Sequence, residues 1–128
     1  MLCVCNISFA FLLMFTAFSP LENIITKIYY DMGYEYFGQV SIAIIYLCFG
    51  LSTCWSPTII KLCGYKVVFI LGALCYTLFD ASGLIVSYVI ESKIMAWMTV
   101  IISCSLCGIS AGCIWVAQGA YIGNISSL

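Results

Sequence analysis

The chain has 128 residues, of which 65% are apolar and only 7% are charged. Soluble domains carry charge on about a quarter of their residues because their surfaces must stay hydrated, so this composition excludes a typical soluble protein. The chain has no arginine and no histidine, and four scattered lysines cannot neutralise a run of phosphates. We therefore expect a protein of the lipid bilayer that binds no nucleic acid.

Four long segments of the chain are nearly free of charge. A helix that crosses about 30 Å of hydrocarbon needs about 20 apolar residues, and we predict such helices at about 2–20, 37–60, 67–90 and 94–117. Eight of the nine charged residues then fall in the connections. The segments do not alternate apolar and polar residues as barrel strands do. The sequence predicts an all-α membrane protein with about four transmembrane helices, a single transmembrane domain over residues 1–128 and no soluble domain.

The first segment is expected to end or kink at Pro20, because proline removes a backbone donor and crowds the preceding turn. It lacks the positively charged start of a cleaved signal peptide, so we interpret it as a membrane helix. Glu22 is expected in the connection that follows, outside the hydrocarbon. The lysines divide equally between the two sides of the membrane, so the positive-inside rule does not decide the orientation.

No known catalytic or metal-binding pattern occurs in the sequence. Without histidine, and without HExxH, GxSxG, GxGxxG or Walker motifs, we predict no enzyme, no catalytic residue and no cofactor. Nine cysteines include one CxxC pair, Cys104 and Cys107. Because this pair lies in an apolar helix with no second pair, we interpret both thiols as packing residues and predict no metal site.

Asp80 is the one charged residue expected within the hydrocarbon. It lies near the middle of the third predicted helix, where an ionised side chain costs about 2.5–3.5 kcal/mol on insertion scales. Helical spacing places it on one face with small and polar residues, which are Gly72, Tyr76, Gly83 and Ser87. Two interpretations stay open: a proton, cation or substrate contact in a polar cavity, or a protonated acid bonded to a neighbouring helix.

The fourth predicted helix carries a stripe of small residues. Gly108 and Gly112 form a GxxxG pattern, which lets a second helix backbone approach closely. Gly108, Ala111, Trp115 and Gln118 follow one another at spacings of three, four and three, so they share a face. This face is predicted to form either a helix-packing seam or the lining of a cavity.

The same residues carry a resemblance to a known family. A motif of the form G-x-x-A-x-x-x-W-x-x-Q-G-x-Y is matched by Gly108, Ala111, Trp115, Gln118, Gly119 and Tyr121. Weaker matches are Pro57, Gly64 and Lys66, at the connection between helices two and three, and Tyr46 and Tyr76. In these features the chain resembles the Unc-ninety-three-like branch of the major facilitator superfamily.

The resemblance implies a cytosolic N-terminus and the first four helices of a twelve-helix fold, so the chain is expected to be the first part of a larger protein. Family members include regulators of two-pore potassium channels and a chaperone of Toll-like receptors. A potassium channel or another membrane protein is thus the implied partner. Lys61 and Leu62 stand where the superfamily usually has an Asp-Arg pair, which weakens the case for conventional transport.

Three functional hypotheses follow. The preferred one is a channel-regulatory or transporter-like protein of this family. The second is a free-standing four-helix membrane protein with a scaffolding role. The third is a proton-coupled carrier of small solutes that works as an oligomer, with Asp80 as the titrating group.

Overall fold

The computed structural model describes residues 2–88 and 92–126, and it contains four helices. They are α1 (Leu2–Asp31), α2 (Phe37–Cys63), α3 (Tyr65–Tyr88) and α4 (Lys93–Ser126). All four are long and apolar enough to cross a membrane, and no strand occurs among the described residues. The predicted all-α fold class is confirmed. Residues 89 and 90 of the predicted third helix, Glu91 and the Ser87 side chain lie outside the described part.

α1 runs through Pro20 without ending and reaches Asp31. The prediction that the first helix ends near residue 20 is therefore corrected. Proline costs the helix one hydrogen bond, to the carbonyl group of Thr16, whereas ending the helix would leave several backbone groups without intrahelical partners. In hydrocarbon each such group is expensive, so the continued helix is the favoured structure.

The connection between α2 and α3 consists of Gly64 alone. Its φ of +80° is in the left-handed region, which glycine adopts without the clash that a Cβ would cause. Pro57 was expected at this connection but lies within α2, and Lys66 is the second residue of α3. Because the connection is a single glycine, α2 continues to Cys63 and α3 begins at Tyr65. Of the three residues expected in the connection between α2 and α3, only Gly64 lies in it.

α4 occupies the centre of the bundle. Its most apolar segment is 61% buried, compared with 28% for α2 and for α3 and 0% for α1. A Cβ added at Gly108 would lie 2.5 Å from the carbonyl oxygen of Ile45, and one at Gly112 would collide with the Ser52 hydroxyl. The two glycines therefore let the backbones of α4 and α2 approach closely, which stabilises helix pairs where lipid gives no hydrophobic drive.

The hydroxyl groups of the buried serines donate hydrogen bonds within their own helices. Each buried serine donates a hydrogen bond to a carbonyl oxygen three or four residues earlier, at 2.6–3.1 Å. The residues are Ser41, Ser52, Ser56, Ser82, Ser103 and Ser110. Ser56 also lies 3.5 Å from the Cys113 sulfur, across the contact between α2 and α4. These serines act as small packing residues whose polar atoms are satisfied locally.

Aromatic side chains pack together at the end of the bundle where α1 connects to α2. Phe37, which is 1% exposed, lies with its ring centroid 4.2 Å from that of Trp97 on α4 and 5.5 Å from that of Tyr29 on α1. Tyr34, in the connection, stacks on Phe37 at 4.3 Å. Such pairs contribute about 0.5–1.5 kcal/mol each beyond the area that they bury. These ring contacts hold the connection between α1 and α2 against α4.

Candidate functional site

One face of α1 carries a regular stripe of aromatic side chains that includes a carboxylate. Phe11, Phe15, Phe18 and Glu22 follow at spacings of four, three and four, which places them on one side of the helix. Each is partly buried. The stripe continues past Pro20 only because α1 does, so Glu22 faces the same direction as the phenylalanines. Its expected place in a connection is therefore corrected: Glu22 lies within α1.

This stripe meets aromatic residues of α3 and α4. The ring centroids of Phe15 and Trp115 are 5.3 Å apart, and those of Phe18 and Tyr76 are 4.9 Å apart in an edge-on arrangement. Phe15 and Tyr76 lie 6.3 Å apart. These are the separations at which aromatic pairs attract one another. The contacts fix the position of α1 against α3 and α4.

Between these rings lies a cavity of about 260 Å³, to which all four helices contribute. Glu22 supplies its carboxylate, Tyr46 and Tyr76 supply phenol groups, and Trp115 supplies an indole. The remaining lining residues are apolar or small: Phe15, Phe18, Ile45, Phe49, Cys107 and Ala111. We name this space the Glu22 cavity. Its lining combines one acidic residue with six aromatic side chains.

The residues of the sequence motif on α4 do not form a single site. Ala111 and Trp115 line the Glu22 cavity, whereas Gly108 packs against α2. Gln118 is half-buried, and Gly119 is exposed with open space around it. The face predicted from spacing thus serves both as a packing seam and as a cavity lining, so both of its interpretations apply to different residues.

Tyr121, the last motif residue, contacts the start of α3. Its ring centroid lies 5.6 Å from that of Tyr65 and 6.4 Å from that of Phe69. The side-chain amide of Asn124 donates a hydrogen bond to the Tyr65 hydroxyl at 2.9 Å. A second cavity, of about 650 Å³, is lined by Tyr121 together with Asn6, Ile7, Cys63, Gly64, Tyr65, Lys66 and Phe69. The structure therefore brings the end of the motif onto the connection between α2 and α3.

Replacing Tyr65 with phenylalanine tests this contact. The variant removes the hydroxyl that accepts the bond from Asn124 and keeps the ring that contacts Tyr121, so we expect a loss of about 0.5–1.5 kcal/mol of stability. Tyr88→Phe is the matched control, since Tyr88 is 88% exposed. Thermal unfolding in detergent micelles measures both variants. Equal stability of the two would show that the hydrogen bond contributes nothing.

Asp80 lies outside the Glu22 cavity, in a groove between α1 and α3. The groove is lined by Leu21, Ile24, Ile25 and Ile28 of α1 and by Thr77, Asp80, Ala81, Gly83 and Leu84 of α3. One carboxyl oxygen, Oδ1, is buried and has no hydrogen-bond partner among the described residues. On the expected small face of α3, Gly72 packs on Ile114 and Gly83 on Ile25. Asp80 thus lies mainly among aliphatic side chains, and within the described part of the chain its Oδ1 has no bond to a neighbouring helix.

The CxxC pair is buried within the bundle. Cys104 and Cys107 are 1% and 0% exposed on α4, and both are free thiols. Among the described residues, no group of three or more cysteines and carboxylates has the arrangement to hold a metal ion. Cys107 lines the Glu22 cavity as a small apolar residue.

Glu22 is the charged residue of the cavity, and the sequence had predicted it to lie in a connection instead. The missed pattern was the three- and four-residue spacing from Phe11 to Glu22, which continues to Ile25 and Tyr29, both buried. If the helix ended at Pro20, the residues after it would not be expected to continue the helical spacing. The periodicity on the far side of the proline was therefore the available evidence that α1 continues.

Four helices, each long and apolar enough to cross a membrane, define a multi-pass α-helical membrane protein. A family model described as "Ion channel regulatory protein UNC-93" matches residues 31–128. The chain therefore belongs to the UNC-93 family. No solved structure matches the chain significantly.

Several curated proteins are similar to the chain along nearly its whole length. "UNC93-like protein 3" of Arabidopsis thaliana is 30% identical over 94% of the chain and 23% of its own length. "Protein unc-93 homolog A" of Mus musculus is 30% identical over 95% and 24%. "Putative potassium channel regulatory protein unc-93" of Caenorhabditis elegans is 32% identical over 91% and 15%. The chain thus spans about a quarter or less of the length of these relatives.

Proposed function

We propose that the chain takes part in regulating a potassium channel, as a helical membrane component that packs against other membrane helices. The observation that carries this proposal is the match of residues 31–128 to a family of ion channel regulatory proteins. Potassium is suggested by the name of the nematode relative, which is 32% identical. The family description and the name of the nematode relative refer to regulation and not to an enzyme.

The outer surface of the bundle supports a role that depends on contacts with other membrane helices. The hydroxyl groups of the six buried serines donate hydrogen bonds to carbonyl oxygens of their own helices. By contrast, large apolar side chains cover the outer surface, including Trp55, Leu74 and Ile24, each more than half exposed. In a bilayer such faces contact lipid or the helices of a partner.

Co-expression with a two-pore potassium channel tests the proposal. We expect the chain to change the potassium current at least severalfold. The amount of channel at the cell surface is measured in parallel. Gly108→Ala, which disturbs the packing of α4 on α2, should weaken the effect, and Gly119→Ala, in open space, should preserve it. A current and a surface amount that are both unchanged by the chain would contradict the proposal.

A transporter-like role is the second candidate, and the carboxylates of Glu22 and Asp80 favour it. Titratable groups inside a membrane protein commonly belong to ion or proton pathways. Proton-coupled flux in proteoliposomes that contain the chain would support this role. If the Asp80→Asn variant has the same flux as the unmodified chain, Asp80 is not the residue that relays the proton.

A further inference from the structure

The Glu22 cavity has an unusual combination of charge and lining. It holds one carboxylate, and none of the described residues that line it is basic. All four lysines of the chain are exposed and lie outside this cavity. A carboxylate among apolar groups and without a cationic neighbour is costly unless a ligand or a proton compensates for it. The cavity therefore lacks a positive charge that would complement Glu22.

Aromatic side chains line the same cavity as Glu22. Phe15 and Phe18 come from α1, Tyr76 comes from α3 and Trp115 comes from α4, with ring centroids 4.9–6.3 Å apart in the pairs that touch. The faces of aromatic rings carry negative potential and attract cations, tryptophan most strongly. Cages of this kind bind quaternary ammonium groups in other proteins.

We propose that the Glu22 cavity binds a small organic ammonium ion. The carboxylate of Glu22 supplies the countercharge, and the rings of Trp115 and Tyr76 contact the alkyl groups around the nitrogen. A volume of about 260 Å³ is below the range of about 300–1,000 Å³ usual for drug-sized ligands, so the occupant is small. A bare alkali ion or a metal ion would need several oxygen ligands, and the rings do not provide them. This assignment does not depend on the proposed channel regulation.

Binding of choline to the chain in lipid nanodiscs tests the proposal. Titration calorimetry is run with choline and with 3,3-dimethylbutan-1-ol, a neutral molecule of the same shape. We expect saturable binding of choline that is roughly tenfold or more tighter than binding of the alcohol, because only choline gains the carboxylate and cation–π interactions. Equal affinity for the two, or no saturable binding of choline, would overturn the proposal.

Two pairs of variants assign the binding to Glu22 and Trp115. Glu22→Gln keeps the size of the side chain and should weaken choline binding roughly tenfold, while Glu35→Gln, at an exposed acid in the connection, should leave it unchanged. Trp115→Phe keeps a ring and should retain binding, whereas Trp115→Leu should lose most of it. Circular dichroism checks that each variant keeps its helix content.

Choline bound as tightly by Glu22→Gln as by the unmodified chain would overturn the assignment. If Glu22→Gln loses its helix content, the Trp115 pair and the selectivity of the unmodified chain decide the outcome. Equal binding by Trp115→Phe and Trp115→Leu would then contradict the role of the ring.

Discussion

Replacing Gly108 with alanine is expected to destabilise the bundle by about 1–3 kcal/mol, the usual cost of overpacking a close contact. The added Cβ would lie 2.5 Å from the Ile45 carbonyl oxygen and 2.8 Å from the Cys48 Cβ. The nearest group is backbone, which cannot rotate away, so the two helices must separate. Because close approach is what holds membrane helices together, α4 should lose contact along α2. Thermal unfolding in detergent micelles measures the loss.

Gly119→Ala is the matched control for this experiment. It makes the same change in the same helix at a position with no atom within 4 Å of the added Cβ. Alanine also has the higher helix propensity, so stability should stay equal or rise by up to about 1 kcal/mol. If the two variants unfold at the same temperature, the close packing of α4 on α2 is contradicted.

Replacing Asp80 with leucine is expected to favour membrane insertion of α3 by about 3 kcal/mol, since a central aspartate is costly and leucine is favourable on insertion scales. Oδ1 has no hydrogen-bond partner among the described residues, and the groove around it is mostly aliphatic. The leucine therefore removes a cost without breaking a described bond. A glycosylation-based insertion assay of residues 65–88 measures the change.

Thr77→Leu serves as the control for Asp80→Leu, because Thr77 is exposed on the same helix and uncharged. It should change insertion by much less than Asp80→Leu. An Asp80→Leu chain that inserts well but unfolds more easily in micelles would show that Asp80 forms a bond within the folded protein. That result would favour its interpretation as a packing acid bonded to another helix.

The spacing of charges predicted the number of helices because hydrocarbon tolerates few charges. The spacing of charges could not predict that α1 continues past Pro20. Proline on its own predicts a helix end, but in lipid the cost of unpaired backbone groups favours a continuous helix. As a result Glu22 was assigned to a connection. The spacing of three and four residues that joins Phe11, Phe15 and Phe18 also extends beyond Pro20 to Glu22. This continued spacing indicates that the helix does not end at the proline.

The motif on α4 shows a second limit of sequence patterns. Spacing placed Gly108 and Trp115 on one helix face, and the structure has them on adjoining parts of that face. Which neighbour each one meets depends on how α1 and α2 cross α4, and no local pattern specifies this. The contact of Tyr121 with Tyr65 likewise joins residues far apart in sequence.

In the structure α1 passes through Pro20 and places Glu22 in the same cavity as Trp115. Fluorescence quenching tests it in a chain whose only tryptophan is Trp115, with Trp55 and Trp97 replaced by phenylalanine and reactive cysteines by serine. A nitroxide is attached to a cysteine introduced at position 22 or, as control, at position 23. Asn23 is exposed and lies about 100° around the helix from Glu22. We expect strong quenching of Trp115 from position 22 and weak quenching from position 23, whereas equal quenching from both would contradict a helix that continues past Pro20 and a cavity shared by Glu22 and Trp115.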